Sequence, residues 1–573
     1  MMPSSMFFLA LATDYDGTIA QFGAVDAATR KSLDTLKRTG RRLILVTGRE
    51  LAELRHAFPA LGLFDLVVAE NGAVLHDPAS GETHLLAAPP PKGFIEKLIT
   101  RGVQPLSVGS CIVATWEPHQ AVVLETIKEF GLELKIVFNK GAIMILPADV
   151  TKATGLREAL TRLDISRHNV VGVGDAENDH AFLRDCGCAA AVANALPAIK
   201  ADADVVLEGD HGAGVGELIR RLIDEDTKLI APRRLGLRIG LDREGRCVRI
   251  LPNQHVLVMG DTGCGKSRFA KMLTERMAQA QFEFCVIDPE GDYHDLEDAV
   301  AISEGPDPPR SDEAIRLLRK TGVNVVVNTV SLDLAARRKL VGDILGPISA
   351  LKARSGRPHW LIVDEAHQFF SGSADGGPRL PAVFPATLFL SVCPENLTAD
   401  ILGHIDVVVA FGPAGVDKFA NLRGLLGCTA RPRGVELHDG EALVWLRDPD
   451  QALVAIRPDA PRQRHHRHLG KYAVGDVGAW HSFYFRGPDN SGGQRARNIW
   501  EFATIIPRLD AAVWEHHLRA HDYSTWFRNV IKDEDIAREA EKIEDDTHLS
   551  AMESRHAISR MLLARYAAPA DTG

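Results

Sequence analysis

The sequence predicts an α/β chain of two doubly wound parallel sheets, with an α+β insertion in the first unit and a small, mainly helical C-terminal region. Three observations carry this. Short apolar runs alternate with helical patterns over residues 6–226 and again over 235–457, the rhythm of βαβ units. Residues 84–150 break that rhythm. Carboxylate-rich or glycine-rich stretches directly follow several of the apolar runs, where parallel sheets place ligand sites.

Taken in order, Phe7–Ala12, Arg42–Val46, Leu66–Val68, Val170–Val173 and Val205–Leu207 are apolar runs short enough for buried strands. Ala27–Lys37 and Leu51–Phe58 between them have helical spacing. The insertion opens on Pro89-Pro90-Pro91, continues as a helix, and then shows apolar runs near Cys111–Thr115 and Leu134–Leu146. It reads as a lid-like unit with its own small sheet. After the basic connector Ala231–Leu235, the runs His255–Met259, Phe284–Ile287, Val323–Val327, Trp360–Val363, Thr387–Leu390 and Val407–Phe411 suit a second buried sheet. Ser303–Pro309 reads as a loop, because its prolines and glycine interrupt regular structure. Ser371–Gly377 is small and polar and also reads as a loop. Arg462–His468 is a polar linker. The expected division is therefore 1–83 with 151–226, an insertion at 84–150, a second unit at 235–457 and a tail at 470–565. No internal repeat is visible.

Composition excludes several classes. The chain has 573 residues, 45% hydrophobic and 25% charged, which rules out a largely disordered protein. A net charge of −10 argues against a chain that coats polyanions as a whole, although a local basic groove stays open. Eight scattered cysteines without a CxxC pair suggest reduced thiols rather than a zinc site. The apolar start lacks a basic flank and runs into Asp14, so it reads as a strand and not a signal peptide. No apolar stretch approaches the roughly 18 residues needed to span a bilayer. The expectation is a cytoplasmic protein with no membrane partner.

Asp14-Tyr-Asp16-Gly17-Thr18 closes the first strand. Two carboxylates two residues apart converge on one point if the chain turns there, and Gly17 permits the turn. One can attack phosphorus while the other handles the leaving-group proton, and both favour Mg²⁺ nearby. A turn-capping acid pair is the plainer alternative. Three further stretches favour the chemistry. Leu45-Val-Thr47-Gly48-Arg49 brings a hydroxyl and free backbone N–H groups to a second strand end, suited to phosphate oxygens. Lys152 can offset the charge of nucleophile and phosphate. Gly174-Asp175-Ala-Glu177-Asn178-Asp179 follows a third strand and supplies acidic Mg²⁺ ligands.

With these four motifs, and with Glu70-Asn71-Gly72-Ala73, residues 7–226 resemble the haloacid dehalogenase (HAD) phosphatases, specifically their Cof-like and sucrose-phosphatase-like branch. The resemblance implies a Rossmann-like core with an α+β cap at the insertion. It implies Asp14 as the nucleophile that forms an aspartyl-phosphate and Asp16 as general acid/base. Thr47 and Lys152 would hold the phosphoryl group, and Asp14, Asp175 and Asp179, with the Asp16 carbonyl, would hold Mg²⁺.

Gly260-Asp261-Thr262-Gly263-Cys264-Gly265-Lys266-Ser267 lies between a strand and the helix that starts near Arg268. This is GxxxxGK[ST] in its meaningful context: N–H groups turn inward on the β-phosphate, Lys266 reaches the β/γ-phosphates, and Ser267 binds Mg²⁺. Leu361-Ile-Val-Asp364-Glu365-Ala-His367 fits the partner strand. Asp364 would hold Mg²⁺ through water and Glu365 would polarise the attacking water; a strand-end cap is the plainer alternative. With Ile287-Asp288-Pro-Glu290-Gly-Asp292-Tyr293, residues 235–457 resemble the HerA/FtsK branch of RecA-like P-loop ATPases. That resemblance implies ATP at subunit interfaces of a hexameric ring, often one that moves on DNA, with an arginine from a neighbour. Arg423, Arg431 and Arg433 are candidates, each equally readable as a surface residue. Two features depart from the family pattern. Only about 20 residues (235–254) precede the P-loop where a β-barrel is usual, and Leu390-Ser-Val-Cys-Pro394 lacks the usual glutamine.

In the tail, Trp480–Arg486, Trp514–Arg519 and Asp522–Arg528 interleave aromatic and basic residues. Base stacking is one reading, and a small helical domain with an aromatic core is the favoured one. His465, His466, His468 and His516-His517 read as solvated rather than metal-binding. The leading expectation is a bifunctional enzyme, a Mg²⁺-dependent phosphomonoesterase joined to an ATPase that assembles as an ATP-binding ring. Its substrate would be a phosphorylated small molecule. The second reading is a DNA- or RNA-engaging ATPase whose first unit trims terminal phosphates. The third is an ATP-sensing scaffold with little turnover.

Overall fold

A computed structural model describes residues 6–139, 141–303, 308–371, 378–430, 435–447, 452–462, 482–487, 493–531 and 533–566. The expected α/β architecture is present. The first unit begins with the strands β1 (Ala10–Thr13), β2 (Arg42–Val46), β3 (Leu66–Ala69), β4 (Val74–His76) and β5 (Thr83–Leu85). The chain then leaves for a separate four-stranded sheet, β6 (Ser107–Val108), β7 (Val113–Trp116), β8 (Leu134–Asn139) and β9 (Ala142–Pro147), ordered β6-β7-β9-β8 and antiparallel. It returns as β10 (Val170–Gly174), β11 (Cys188–Ala191) and β12 (Val205–Val206). The main sheet runs β12-β11-β10-β1-β2-β3-β4-β5, parallel except at β4 and β5. Every residue of β1 and β10 is buried, because helices cover both faces of a parallel sheet.

The helix Lys152–Leu163 re-enters the core from the insertion. Thr151 accepts from the Thr154 backbone N–H, and the Thr154 hydroxyl accepts from Thr151 N–H, a reciprocal cap that fixes where the helix starts. Lys152 thereby occupies the first turn. Gly72 (φ +104°) lies so close that a Cβ there would stand 2.0 Å from the Thr151 carbonyl oxygen, so the helix start is seated directly on the Glu70–Gly72 turn.

The second unit contains β13 (Leu237–Asp242), β14 (Cys247–Ile250), β15 (Val256–Met259), β16 (Phe284–Asp288), β17 (Ala299–Ile302), β18 (Asn324–Asn328), β19 (Trp360–Val363), β20 (Ala386–Ser391), β21 (Val407–Phe411), β22 (Ala442–Leu446) and β23 (Leu453–Pro458). They form one sheet, β14-β13-β23-β22-β21-β15-β20-β19-β16-β18-β17. The section from β21 to β17 is parallel. The short stretch ahead of the P-loop is the hairpin β13–β14, added antiparallel to β23 at the sheet edge.

The two units meet at the starts of their strands. Asp164, just past the helix Lys152–Leu163, pairs with Arg354 (2.7 Å) and with Arg357. Arg357, almost fully buried, also reaches Thr321 Oγ1 (2.8 Å) and Glu283 (3.5 Å). Ser166 N–H donates to the Ser355 carbonyl at 2.9 Å, and the His168 ring contacts the Gln281 carbonyl at 3.1 Å. These residues precede β10, β16 and β19, so each sheet's carboxyl end points away from the joint.

The C-terminal region pairs β24 (Phe483–Phe485) with β25 (Gln494–Ala496) and continues as helices Ile499–Ile505, Ala511–Arg519, Asp522–Trp526, Glu534–Asp545 and Ala551–Tyr566. Phe483, Phe502, Trp514, Tyr523, Trp526 and Phe527 are buried in its core, so these aromatics pack on one another. Both His517 nitrogens are occupied, one facing Asp522 (2.7 Å) and the other accepting from Arg486 N–H (2.9 Å). Trp480 and the histidines at 465, 466 and 468 lie outside the described residues. The cysteines are free thiols, and no helix among the described residues is long and apolar enough to cross a membrane.

Candidate active sites

The first site stands beyond the carboxyl ends of β1, β2 and β10. Asp14 follows β1 and is buried. Lys152 Nζ lies 2.5 Å from Asp14 Oδ1 and 2.6 Å from Asp179 Oδ1. Asp179 Oδ2 accepts from the backbone N–H groups of Asp175 and Ala176, both at 2.9 Å, which locks the turn after β10. Asp175 accepts from Thr18 Oγ1 at 3.2 Å. Gly17 has φ +87°, and a Cβ there would lie 2.3 Å from Asp175 Oδ2, so only glycine lets the two acidic loops meet.

Asp14, Asp175 and Asp179 each offer an oxygen within 4.8 Å of the others, the candidate cation cluster among the described residues. Burial, and then the Asp179 charge, push the Asp14 carboxyl up to about 8 against the opposing pull of Lys152. An all-oxygen, buried acidic set matches the preference of Mg²⁺ for carboxylate ligands, so these residues fit a hard divalent cation. The Asp16 side chain stands apart from that set. Arg49 grips it with two bonds, Nε to Oδ2 (2.6 Å) and Nη2 to Oδ1 (2.7 Å), and also holds Glu53 (2.8 Å). Thr47 is buried after β2, and its hydroxyl accepts from Arg49 N–H at 3.1 Å.

A cavity of about 380 Å³ opens over Asp14, Asp16 and Lys152, between the main sheet and the inserted sheet. Glu70, buried and at φ +52°, accepts from the backbone N–H groups of Ser110, Cys111 and Ile112 at 2.8–3.2 Å. It ties the inserted sheet to the core. Neither Arg49 nor Glu70 was assigned a role from the sequence, although both stand inside stretches that were singled out.

The second site lies beyond β15 and β19. Gly260, Gly263 and Gly265 all have positive φ, which curls residues 260–265 ahead of the helix Lys266–Gln279. Lys266 is buried, and its Nζ donates to the carbonyls of Gly260 (3.0 Å) and Asp261 (2.9 Å). Ser267 follows in the first helical turn. Asp364, buried past β19, is held well above the usual carboxylate range by burial and by Glu365 beside it. Glu365 sits at φ +45° and lies 3.3 Å from His367, whose ring contacts Ser391 Oγ at 3.2 Å. Ser391 closes β20, the strand end where the glutamine is missing.

Asp288 accepts from the backbone N–H groups of Glu290, Gly291, Asp292 and Tyr293 at 2.7–3.2 Å. It clasps its own turn. Lys418 had no sequence signal, yet its Nζ bonds Asp261 Oδ1 (2.6 Å) and the Val392 carbonyl (2.8 Å) at the loop's mouth. Beside Gly263 and Gly265 opens a cleft of about 710 Å³, lined by Arg268, Phe411, Pro413, His438 and Arg457. Arg423 is exposed just past the helix Gly412–Leu422, whereas Arg431 and Arg433 lie outside the described residues.

Residues 11–101 and 111–219 match the family of haloacid dehalogenase-like hydrolases, and residues 247–345 match the central domain of helicase HerA. A phosphoglycolate phosphatase of Methanothermobacter thermautotrophicus is 32% identical over 233 residues, 37% of this chain and 98% of that protein. The phosphoglycolate phosphatase of Methanopyrus kandleri is 28% identical over 226 residues, 37% of this chain and 96% of that protein. A haloacid dehalogenase-like hydrolase of Bacteroides thetaiotaomicron, known from its crystal structure, superposes with a TM-score of 0.33 at 17% identity, covering 38% of this chain and 99% of that one.

Proposed function

Because the chain belongs to the haloacid dehalogenase-like hydrolases and also carries a HerA-type central domain, we propose that it is a bifunctional enzyme, a Mg²⁺-dependent phosphomonoesterase joined to an ATPase. The observation that carries the phosphatase half is the Asp14–Lys152–Asp179 cluster, with Asp175, at the floor of the cavity. Asp14 attacks phosphorus in line, the bond to the ester oxygen breaks, and Asp16 gives that oxygen its proton. Asp16 then takes a proton from the water that attacks the aspartyl-phosphate, releasing phosphate and restoring Asp14. Lys152 and Thr47 hold the phosphoryl oxygens. Asp14, Asp175 and Asp179, with the Asp16 carbonyl, would hold Mg²⁺, which supplies charge stabilisation to the transferring group.

In the second unit, residues 260–267 cradle the phosphates of ATP, and the cleft beside them has room for the nucleoside. Ser267 and Asp364 would hold that site's Mg²⁺, and Glu365 polarises the attacking water. The two activities divide the chain as 1–83 with 151–226, a cap at 84–150, the ATPase at 235–457 and a tail at 470–565. The joint at Asp164, Arg357 and Glu283 supports the further reading that nucleotide state, through ring assembly, gates the phosphatase. Trapping of phosphate on Asp14 from a phosphomonoester tests the phosphatase, and 2-phosphoglycolate, for which the two relatives are named, is the first ester to assay. Lys266→Ala tests the gating: an unchanged phosphatase rate and an unchanged oligomeric state would refute it.

The match to the HerA central domain favours one second reading, an ATPase that engages DNA or RNA while the first site trims terminal phosphates. It requires ATP hydrolysis to be stimulated by DNA with a steep salt dependence.

A further inference from the structure

The helix Gly412–Leu422 follows β21 and packs on the start of the P-loop. Gly415 seats it there. A Cβ at that position would stand 3.1 Å from the Met259 carbonyl oxygen and 3.4 Å from Gly260 Cα, so the helix lies close on the loop. Lys418, three residues on, shares that face. Its Nζ bonds Asp261 Oδ1 at 2.6 Å and the Val392 carbonyl at 2.8 Å.

Those two partners place the ammonium between the phosphate loop and the end of β20. In the sheet, β20 stands between β15, which leads into the loop, and β19, which leads into Asp364 and Glu365. Lys266 is held on the same residue, its Nζ 2.9 Å from the Asp261 backbone carbonyl. Asp261 thus carries one lysine on its side chain and one on its main chain. Cys393, next to Val392, lies in the same company. Burial pushes its thiol up, Glu395 and Glu365 act in the same direction, and Lys418 and Lys266 act against them. Charges that all bear on one thiol share one pocket. Ser391, at the end of β20, spends its hydroxyl on His367 and on the Cys393 N–H, which leaves Lys418 as the charged group anchored at that strand end.

Resting on the ATPase reading, we propose that Lys418 is a second phosphate-binding lysine of this site, which contacts the terminal phosphate of ATP and stabilises the charge that shifts during hydrolysis. An ammonium has three donors. Two are taken among the described residues, so one remains for a phosphate oxygen while the Val392 carbonyl keeps the head group in place. The Asp261 side chain is 64% exposed, and an exposed carboxylate holds a cation weakly. A terminal phosphate, with more charge and more acceptor oxygens, takes its place. ADP lacks that group and leaves the Lys418–Asp261 pair as it is.

The test compares the full chain with Lys418→Met and Lys418→Arg, with Mg²⁺ throughout, by ATP hydrolysis and by the affinities for ADP and for a non-hydrolysable ATP analogue. Lys418→Met should lower kcat by roughly 10²-fold, the scale for one preorganised charge contact. It should weaken the analogue about tenfold relative to ADP, the scale for a lost hydrogen bond to a charged group. Retained ADP binding shows that the loop is still folded. Lys418→Arg, which keeps the charge, should recover part of both losses. An unchanged ratio of analogue to ADP affinity, whether both ligands weaken equally or neither weakens, would overturn the assignment and leave Lys418 as a prop for the loop, with the ATPase intact. An unchanged kcat would overturn it as well. A parent chain that neither binds nor hydrolyses ATP would remove the ATPase reading itself and this inference with it.

Discussion

Replacing Lys152 by methionine should damage both stability and turnover, by amounts the geometry sets. Its side chain is 2% exposed, and its ammonium lies 2.5 and 2.6 Å from two carboxylates that are themselves buried. Methionine keeps most of the stem and removes the charge, which leaves Asp14 and Asp179 facing each other across a dry site with Asp175 close by. Breaking a buried ion pair from one side costs about 3–5 kcal/mol, because the partner is left buried and uncompensated. Chemical denaturation in a metal-free buffer measures that loss. Added Mg²⁺ should stabilise the variant more than it stabilises the parent, since a second cation then neutralises the same oxygens. Turnover should fall by about 10²–10³, the scale for losing one preorganised charge contact to a transferring group. A variant that unfolds at the parent's denaturant midpoint and turns over at the parent's rate would show that the cluster is not the electrostatic unit described here.

Three further outcomes follow from the packing. Gly17→Ala should reduce phosphatase activity severely, because the new Cβ would stand 2.3 Å from Asp175 Oδ2, and the positive φ adds about 1 kcal/mol of backbone strain; activity and thermal unfolding together report it. Arg357→Ala should cost about 3 kcal/mol in calorimetric unfolding, since it strips Glu283 and Asp164 of a nearly buried partner at the joint. Lys352 is buried with its Nζ on the Gly356 carbonyl, and burial pushes its ammonium down to about 7. The unfolded chain keeps that proton up to roughly pH 10, so between about pH 7 and pH 10 the unfolded state binds more protons and stability rises with pH. Lys352→Met should therefore stabilise the protein, most below pH 7 and least near pH 10, as a pH series of denaturation curves would show.

What the sequence made legible is what is encoded within a few consecutive residues. Asp14 with Asp16, Asp175 with Asp179, and Gly260 through Ser267 each sit at a strand-to-helix turn, so residue type and spacing identify the chemistry before the fold is known. The structure then brings Asp14, Lys152, Asp175 and Asp179 together from three separate stretches. Contacts between distant stretches had no such signal. Asp164 and Arg357 are separated by 193 residues, and neither lies in a recognisable pattern. Lys418 reaches Asp261 from 157 residues away. Arg49 and Glu70 lie inside motifs that were noticed, but the partner of Arg49, Asp16, comes from the turn after a neighbouring core strand, and those of Glu70, the backbone of Ser110–Ile112, depend on how the cap folds back. The hairpin β13–β14 and the strands β22 and β23 were also not anticipated. In β13, β14 and β23, on the antiparallel side of the sheet, buried positions are interrupted by half-buried or exposed ones and the apolar signal weakens, whereas β22 is a buried apolar run of the same kind as the parallel strands. In the tail the aromatic residues could have served stacking or a core, and burial of Trp514, Tyr523 and Phe527 shows that they pack inside.

The central claim is that one chain holds two separate phosphoryl-transfer sites at the far ends of two joined sheets. Phosphate release measured side by side, from a phosphomonoester and from ATP, on the parent, Asp14→Asn and Lys266→Ala tests it most directly. The account predicts that Asp14→Asn abolishes ester hydrolysis while ATP is still consumed, and that Lys266→Ala abolishes ATP hydrolysis while ester hydrolysis stays measurable. Loss of both activities from Asp14→Asn, or ATP turnover untouched by Lys266→Ala, would contradict it.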